Sequence, residues 1–224
     1  MHQLLCPLAQ LALNIQISFR QDDAEEVQIP TTESFVTLER SLITEIETDM
    51  QIIHRNLANS ANDDQGEGFY SGGEITWLDL VYHRDATRVD YRNTWHDRIR
   101  NKIDRLHSST SSIIWLYHRP GGGGSTMARR IMWDFCSQYP TVYLKQISDQ
   151  TAERIKTLYR VSLNRQLLIV AEISDSVISN MALTALRMDL IKKSVRACLS
   201  ALPAGTRRMT AMYPLIFSCR LPLP

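Results

Sequence analysis

The sequence predicts an α/β protein, a parallel sheet flanked by helices and preceded by an N-terminal helical arm. Three observations carry this expectation. From residue 113 onward short apolar runs alternate with segments of helical periodicity, which is the pattern of βαβ units. Four glycines, Gly121 to Gly124, stand between the first apolar run and the helix after it, where the backbone must turn tightly. The 224 residues, 44% hydrophobic and 22% charged, are also enough to bury the core such a sheet needs.

The opening stretch, MHQLLCPLAQLALNIQISF, has a short apolar run. It lacks a basic n-region and is interrupted by Gln3, Gln10 and Asn14, so it does not read as a secretion signal. No run of about 18 apolar residues occurs, and no membrane span is expected. Residues 22–34 are acidic and loop-like. Phe35, Leu38, Leu42, Ile46, Met50 and Ile53 then recur every three or four residues, predicting one amphipathic helix. ANSANDDQGEG ends it.

In FYSGGEITWLDLVYHRD, the residues Ile75, Trp77, Leu78, Leu80, Val81 and Tyr82 suggest an extended piece after a Gly72-Gly73 turn. Helical spacing returns through Trp95, Ile99, Ile103 and Leu106. The expected division is an N-terminal segment (1–60), a linker block (61–112) and an α/β domain (113–224), the last expected to be truncated at its C-terminus.

Within that domain the expected order is strand SIIWLY, helix STMARRIMWDFCSQY, strand TVYLKQI, helix DQTAERIKTLYRVSL and strand QLLIVAEI. A long helix from Ser174 to about Leu202 and a strand AMYPLIFSC follow. Cys6, Cys136, Cys198 and Cys219 are far apart and form no C-x-x-C pair, so they read as reduced, buried thiols of a cytosolic protein. A net charge of +1 gives no overall pull toward nucleic acid. The pairs Arg129-Arg130, Lys192-Lys193 and Arg207-Arg208 read as solvated faces. No Ser-His-Asp set, metal-ligand spacing or aromatic-basic interleaving points to another chemistry.

The glycine run invites comparison with a phosphate loop, G-x-x-x-x-G-K-[ST], set between a strand and a helix. There, backbone amides and the helix N-terminus surround phosphate, lysine bridges the outer phosphates and the hydroxyl holds Mg²⁺. With Gly124 and Thr126 on the last glycine and the hydroxyl, Arg119 falls on the first glycine and Ser125 on the lysine. Two positions therefore depart from the form. Downstream, Leu167-Leu168-Ile169-Val170 leads into Glu172, 46 residues after Thr126, and a hydrophobic strand ending in an acid is what a second, Mg²⁺-ordering motif needs. Asp175 is a second acid at that edge, or a helix N-cap. A flexible turn explains the glycines equally well as a bare pattern.

WLYHRPGGGGSTMARRIMWDF, followed by a YLK strand, resembles the P-loop segment of the sterile alpha motif domain-containing protein 9 family, H-x-P-G-x-G-G-T-T-L-A before an aromatic-rich helix. FYSGGEITWLDLVYHRD is similar to that family's R-G-G-x-x-x-W-x-N-F-Y block, with Gly72, Gly73 and Trp77 as its matching residues. QLLIVAEIS is similar to its L-L-L-V-D-D strand, and YPLIFSCR to its I-L-N-C-x-R strand. The resemblance covers residues 69 to 220 and implies a P-loop NTPase-like domain of switch type, from a cytoplasmic, interferon-linked antiviral protein with further domains on both sides. The family has Thr where most such loops have Lys, so Ser125 matches it. Where the family has two aspartates this chain has Ala171 and Glu172, so one Mg²⁺-ordering carboxylate is missing.

The resemblance implies ATP or another nucleoside triphosphate at Gly121, Gly122, Gly123, Gly124, Ser125 and Thr126, with Arg220 near a terminal phosphate. Mg²⁺ would be held by Thr126 and Glu172, with Glu172 also acting on water. His118, Arg119, Arg129 and, from the end of the last expected strand, Arg220 are the cations expected to offset the lost lysine. Weak or absent hydrolysis is the expectation. The alternative is a scaffold or interaction module, acting through protein partners or self-association, in which the nucleotide site has decayed.

Overall fold

The computed structural model describes residues 26–59, 73–85, 95–106, 110–118, 121–174 and 177–204. An antiparallel ribbon of β1 (Gln28–Pro30) and β2 (Phe35–Thr37) comes first. Helix α1 (Arg40–Glu47), strand β3 (Met50–Ile53) and a 3-10 turn (Arg55–Ala58) follow. The single helix expected from Phe35 to Ile53 is therefore replaced by strand, helix and strand. The apolar spacing is real, but the chain is interrupted by Asp49, which is fully buried. Its carboxylate accepts the hydroxyls of Thr151 (2.7 Å) and Ser148 (2.8 Å) and the guanidinium of Arg154. That contact turns the chain so that Met50 and Ile52 are buried on a sheet edge.

Helix α2 (Trp77–Val81) stands where an extended piece was expected. Thr76 caps it: its hydroxyl accepts from the Asp79 amide (3.1 Å), and the Asp79 carboxylate accepts from the Thr76 amide (2.9 Å). This reciprocal box starts a helix even in a short apolar run. Helix α3 (His96–Asp104) matches the expected one and buries Ile99 and Ile103.

The remaining elements are β4 (Ser111–Trp115), α4 (Gly124–Phe135), β5 (Thr141–Leu144), α5 (Thr151–Val161), β6 (Leu167–Ser174), α6 (Val177–Lys192) and β7 (Ala197–Ala204). Five strands form one sheet in the order β3-β5-β6-β7-β4. Neighbours among β4 to β7 pair in parallel, and β3 is antiparallel to β5. From β4 the chain crosses to β5 and then steps back through β6 to β7, which fills the gap beside β4. Right-handed crossovers make this reversal send α4 to one face and α5 and α6 to the other. The packing shows the division. Ile131, Met132 and Phe135 of α4 pack with Leu168, Val170 and Cys198. Ile155, Leu158, Leu183 and Leu190 pack with Ile169, Ala171, Leu199 and Ala201.

β7 corrects the helix expected to run to Leu202. α6 ends in a Schellman closure: the Ser194 amide bonds the Ile191 carbonyl and the Val195 amide the Leu190 carbonyl, both at 3.0 Å, with Ser194 at φ 57. The left-handed position carries serine rather than glycine, so composition does not mark the stop. Beyond it Ala197, Leu199 and Ala201 face one core while Cys198 and Leu202 face the other. A strand buried on both faces reads as a continuous apolar run, easily merged with the helix before it. The strand expected over 211–219 lies outside the described residues.

Candidate functional site

The glycine loop leaves the carboxyl end of β4 and enters α4, on the sheet edge where open α/β folds bind ligands. Gly121 and Gly123 have φ of 72 and 73, left-handed values that a Cβ disfavours. A side chain on Gly121 would meet nothing within 4 Å, so the turn's outer side is open. Gly124 is closed: a Cβ there would stand 2.2 Å from Nε2 of His118. The imidazole thus lies against the first residue of α4, and His118 is more than a turn residue after the strand. Gly122 and Gly123 are half-buried, as is Thr126, while Ser125 is exposed. The amides of this first helical turn have no intrahelical acceptors.

Ser125 and Glu172 meet. The serine hydroxyl donates to Oε2 of Glu172 at 2.5 Å across 47 residues of sequence. Strand alternation explains why Glu172 is the acid that arrives. Leu168 and Val170 face α4, and Glu172 continues their side of β6. Ala171 points the other way and is 3% exposed in the opposite core. A carboxylate at 171 would be directed away from the loop, which changes the meaning of the missing aspartate. Beside them Tyr143 of β5 faces α4. Its hydroxyl is pushed above the ordinary range by burial and then by the charge of Glu172, with Arg129 acting the opposite way.

Arg129 and Arg130 are not a solvated pair. Arg130 is 8% exposed and reaches both carboxylate oxygens of Asp85, with Nε to Oδ2 at 2.8 Å, and the Leu80 carbonyl at 3.1 Å. Arg129 donates to Glu74 Oε2 at 2.5 Å and to the Ile75 carbonyl. Trp77 stacks on Trp133 with centroids 6.1 Å apart, and Arg55 lies 4.3 Å over the Trp133 ring. The block around Gly73 and Trp77 is therefore fastened along the loop-bearing helix. Sequence reading missed these contacts; the capping box at Thr76 and the acids Glu74 and Asp85 were the signals available. Lys192, by contrast, is surface-exposed and pairs with Asp189 at 3.2 Å.

Cys136 and Cys198 are free and buried. Burial raises their thiols to about 11 and about 12. Gly72, Arg119, Asp175, Arg207, Arg208, Arg220, Cys6 and Cys219 lie outside the described residues. No helix among the described residues is long and apolar enough to cross a membrane. Among them, too, no three His, Cys, Asp or Glu side chains converge as a metal cluster.

The relation read from the loop and its neighbouring blocks is borne out by comparison. The chain is 28% identical to human sterile alpha motif domain-containing protein 9 over 109 residues, 45% of this chain and 7% of that protein. Human sterile alpha motif domain-containing protein 9-like matches at 28% over 92 residues, covering 39% of this chain and 6% of the relative. Its mouse counterpart matches at 27% over 84 residues, 35% and 5%. The chain thus aligns with a small fraction of these much longer relatives. No protein-family model matches it.

Proposed function

We propose that this chain is a switch-type P-loop nucleotide-binding domain that takes ATP, or a related nucleoside triphosphate, at Gly121 to Thr126 with hydrolysis slow or absent. The observation that carries the reading is the meeting of Ser125, just after the glycines, with Glu172, at the end of the parallel strand two places from β4. A loop and an acid brought to one sheet edge are the two parts a phosphate-and-metal site requires. The relation to the sterile alpha motif domain-containing protein 9 family supports a cytoplasmic setting in innate, antiviral defence.

The residues fit Mg²⁺. The Thr126 hydroxyl and Glu172 carboxylate are hard oxygen donors, and a site with so few protein ligands suits an ion that keeps waters and phosphate oxygens around it. Bound there, Mg²⁺ would neutralise charge between the outer phosphates. Thr126 and Glu172 would hold it, the first-turn amides of α4 would bind phosphate oxygens, and Glu172 would orient or deprotonate water. Glu172, the carboxylate that β6 directs at the loop, would carry both tasks, which favours binding over turnover.

A second reading, a scaffold with a decayed site, is favoured by the hydrogen bond that already occupies Ser125. Thermal unfolding with and without millimolar Mg²⁺-ATP separates the two. The parent rises in midpoint on binding, while Gly124→Glu, which places a charge in the loop, does not. An unchanged parent midpoint would refute the nucleotide site and leave the scaffold.

A further inference from the structure

We propose that Arg129 is the cation that meets the terminal phosphate in place of the absent lysine, and that Glu74 keeps it in reserve until a nucleotide arrives. The inference rests on the nucleotide-site reading above. Arg129 lies one helical turn after Ser125 on α4, and residues four apart share a helix face. Helical side chains lean toward the N-terminus, so a guanidinium released from Glu74 and the Ile75 carbonyl can swing back along the turn that carries Ser125. One turn is about 5.4 Å, a span a long arginine covers. The charges of Glu172, Arg129 and Glu74 all bear on the Tyr143 hydroxyl, in keeping with a shared neighbourhood.

The adjacent arginines are built for different tasks. Arg130 and Asp85 are each 10% exposed in their side chains and share a two-pronged contact, which suits a permanent fastening. The carboxylate partner of Arg129, Glu74, is 86% exposed, and an ion pair open to water is weak; the bond to the Ile75 carbonyl is the other contact that exchange must break. Arg130 can therefore keep residues 80–85 on α4 while Arg129 changes partner. Guanidinium geometry matches phosphate oxygens as well as carboxylate. Exchange would free Glu74 and the Ile75 carbonyl, so occupancy of the loop would be felt at the start of the Trp77 block.

The test is calorimetric binding of Mg²⁺-ATP and Mg²⁺-ADP to the whole chain, its Arg129→Met, Arg129→Lys, Glu74→Gln and Gly124→Glu variants, with urea midpoints to establish folding. Arg129→Met is expected to weaken ATP about tenfold or more and to abolish the ATP-over-ADP preference, since a charge-assisted contact is lost. Arg129→Lys, which keeps the positive charge, retains most of the affinity. Glu74→Gln has the opposite sign and tightens ATP about two- to fivefold by removing the competing partner. A role confined to fastening residues 74–76 predicts that Arg129→Met and Glu74→Gln lower the urea midpoint alike and leave the preference intact; that result overturns the inference while the nucleotide site stands. Failure of the parent to bind, or equal binding by Gly124→Glu, removes the nucleotide reading and this inference with it.

Discussion

The hydroxyl of Ser125 donates to the carboxylate of Glu172 at 2.5 Å, joining the helix after the glycine loop to the end of β6. A lysine at 125 would put an ammonium beside that acid and above the loop. Ser125→Lys is therefore expected to raise nucleotide affinity about tenfold, the scale of one charge-assisted contact, and to raise any phosphate release. Glu172→Gln in the same background should abolish the gain in release. A malachite-green time course reads both, and identical rates in the two variants would remove Glu172 from the chemistry.

His118 and Gly124 are fitted to each other. Gly124→Ala puts a Cβ 2.2 Å from the imidazole, and relieving such overlap costs about 1–3 kcal/mol. Because the clash is with a side chain, His118→Ala should recover most of that cost in the double variant, giving a coupling measurable by urea denaturation. Additive losses would show that Gly124 is required by its backbone alone.

Arg130 and Asp85 form an ion pair with both side chains 10% exposed. Removing one partner leaves a buried charge, so Arg130→Met should destabilise by about 3–5 kcal/mol. Arg130→Lys should lose much of the same stability, since an ammonium cannot reproduce the two-pronged contact. Chemical denaturation checks the magnitude, and a loss below 1 kcal/mol would contradict the geometry.

Acid should loosen the edge at β3. Burial works to raise the Asp49 carboxyl, but hydrogen bonds from Thr151, Ser148 and Arg154 and the charge of Arg154 outweigh it and hold it below its usual value. Asp79 is depressed in the same way by Thr76 and Arg84 against burial. A depressed folded value means the stabilisation is present above the unfolded carboxyl range, about 3.9, and is lost as pH falls through the folded value. Asp49→Asn should therefore be less stable than the parent at pH 7, with the gap closing below about pH 4. Urea midpoints across pH give the comparison.

Cys136 and Cys198 should resist alkylation in the folded protein, because burial pushes their thiols to about 11 and about 12 and only a thiolate attacks readily. Iodoacetamide at pH 8 followed by peptide mapping should label both after unfolding in urea and neither before. Rapid native labelling of Cys198 would contradict its place in the sheet.

Much of the α/β half was legible because its signals are local. β4, α4, β5, α5 and β6 follow apolar runs and helical spacing, and Gly121 and Gly123 have the left-handed backbone that glycine marks. What stayed hidden depends on partners distant in sequence. Asp49 turns the chain through Ser148 and Thr151, roughly a hundred residues away; Arg130 leaves the surface because Asp85 awaits it. The end of α6 was hidden for a different reason, since Ser194 occupies a position that glycine usually announces. At the candidate site, strand alternation already sets Ala171 and Glu172 on opposite faces of β6, whereas the meeting of Ser125 with Glu172 was hidden because it joins residues 47 apart.

The placement of β7 has a consequence for the order of assembly. It is the last described strand in the chain, yet it lies between β6 and β4 and pairs with both. Until residues 197–204 have left the ribosome, β4 has no neighbour in the sheet, and the strand bearing Glu172 has one exposed edge. Contacts this far apart in sequence form slowly, and unpaired edges invite aggregation. A nascent chain stopped before β7 would carry both parts of the candidate site without the strand that sets their spacing, so chaperone engagement should persist until that strand is synthesised.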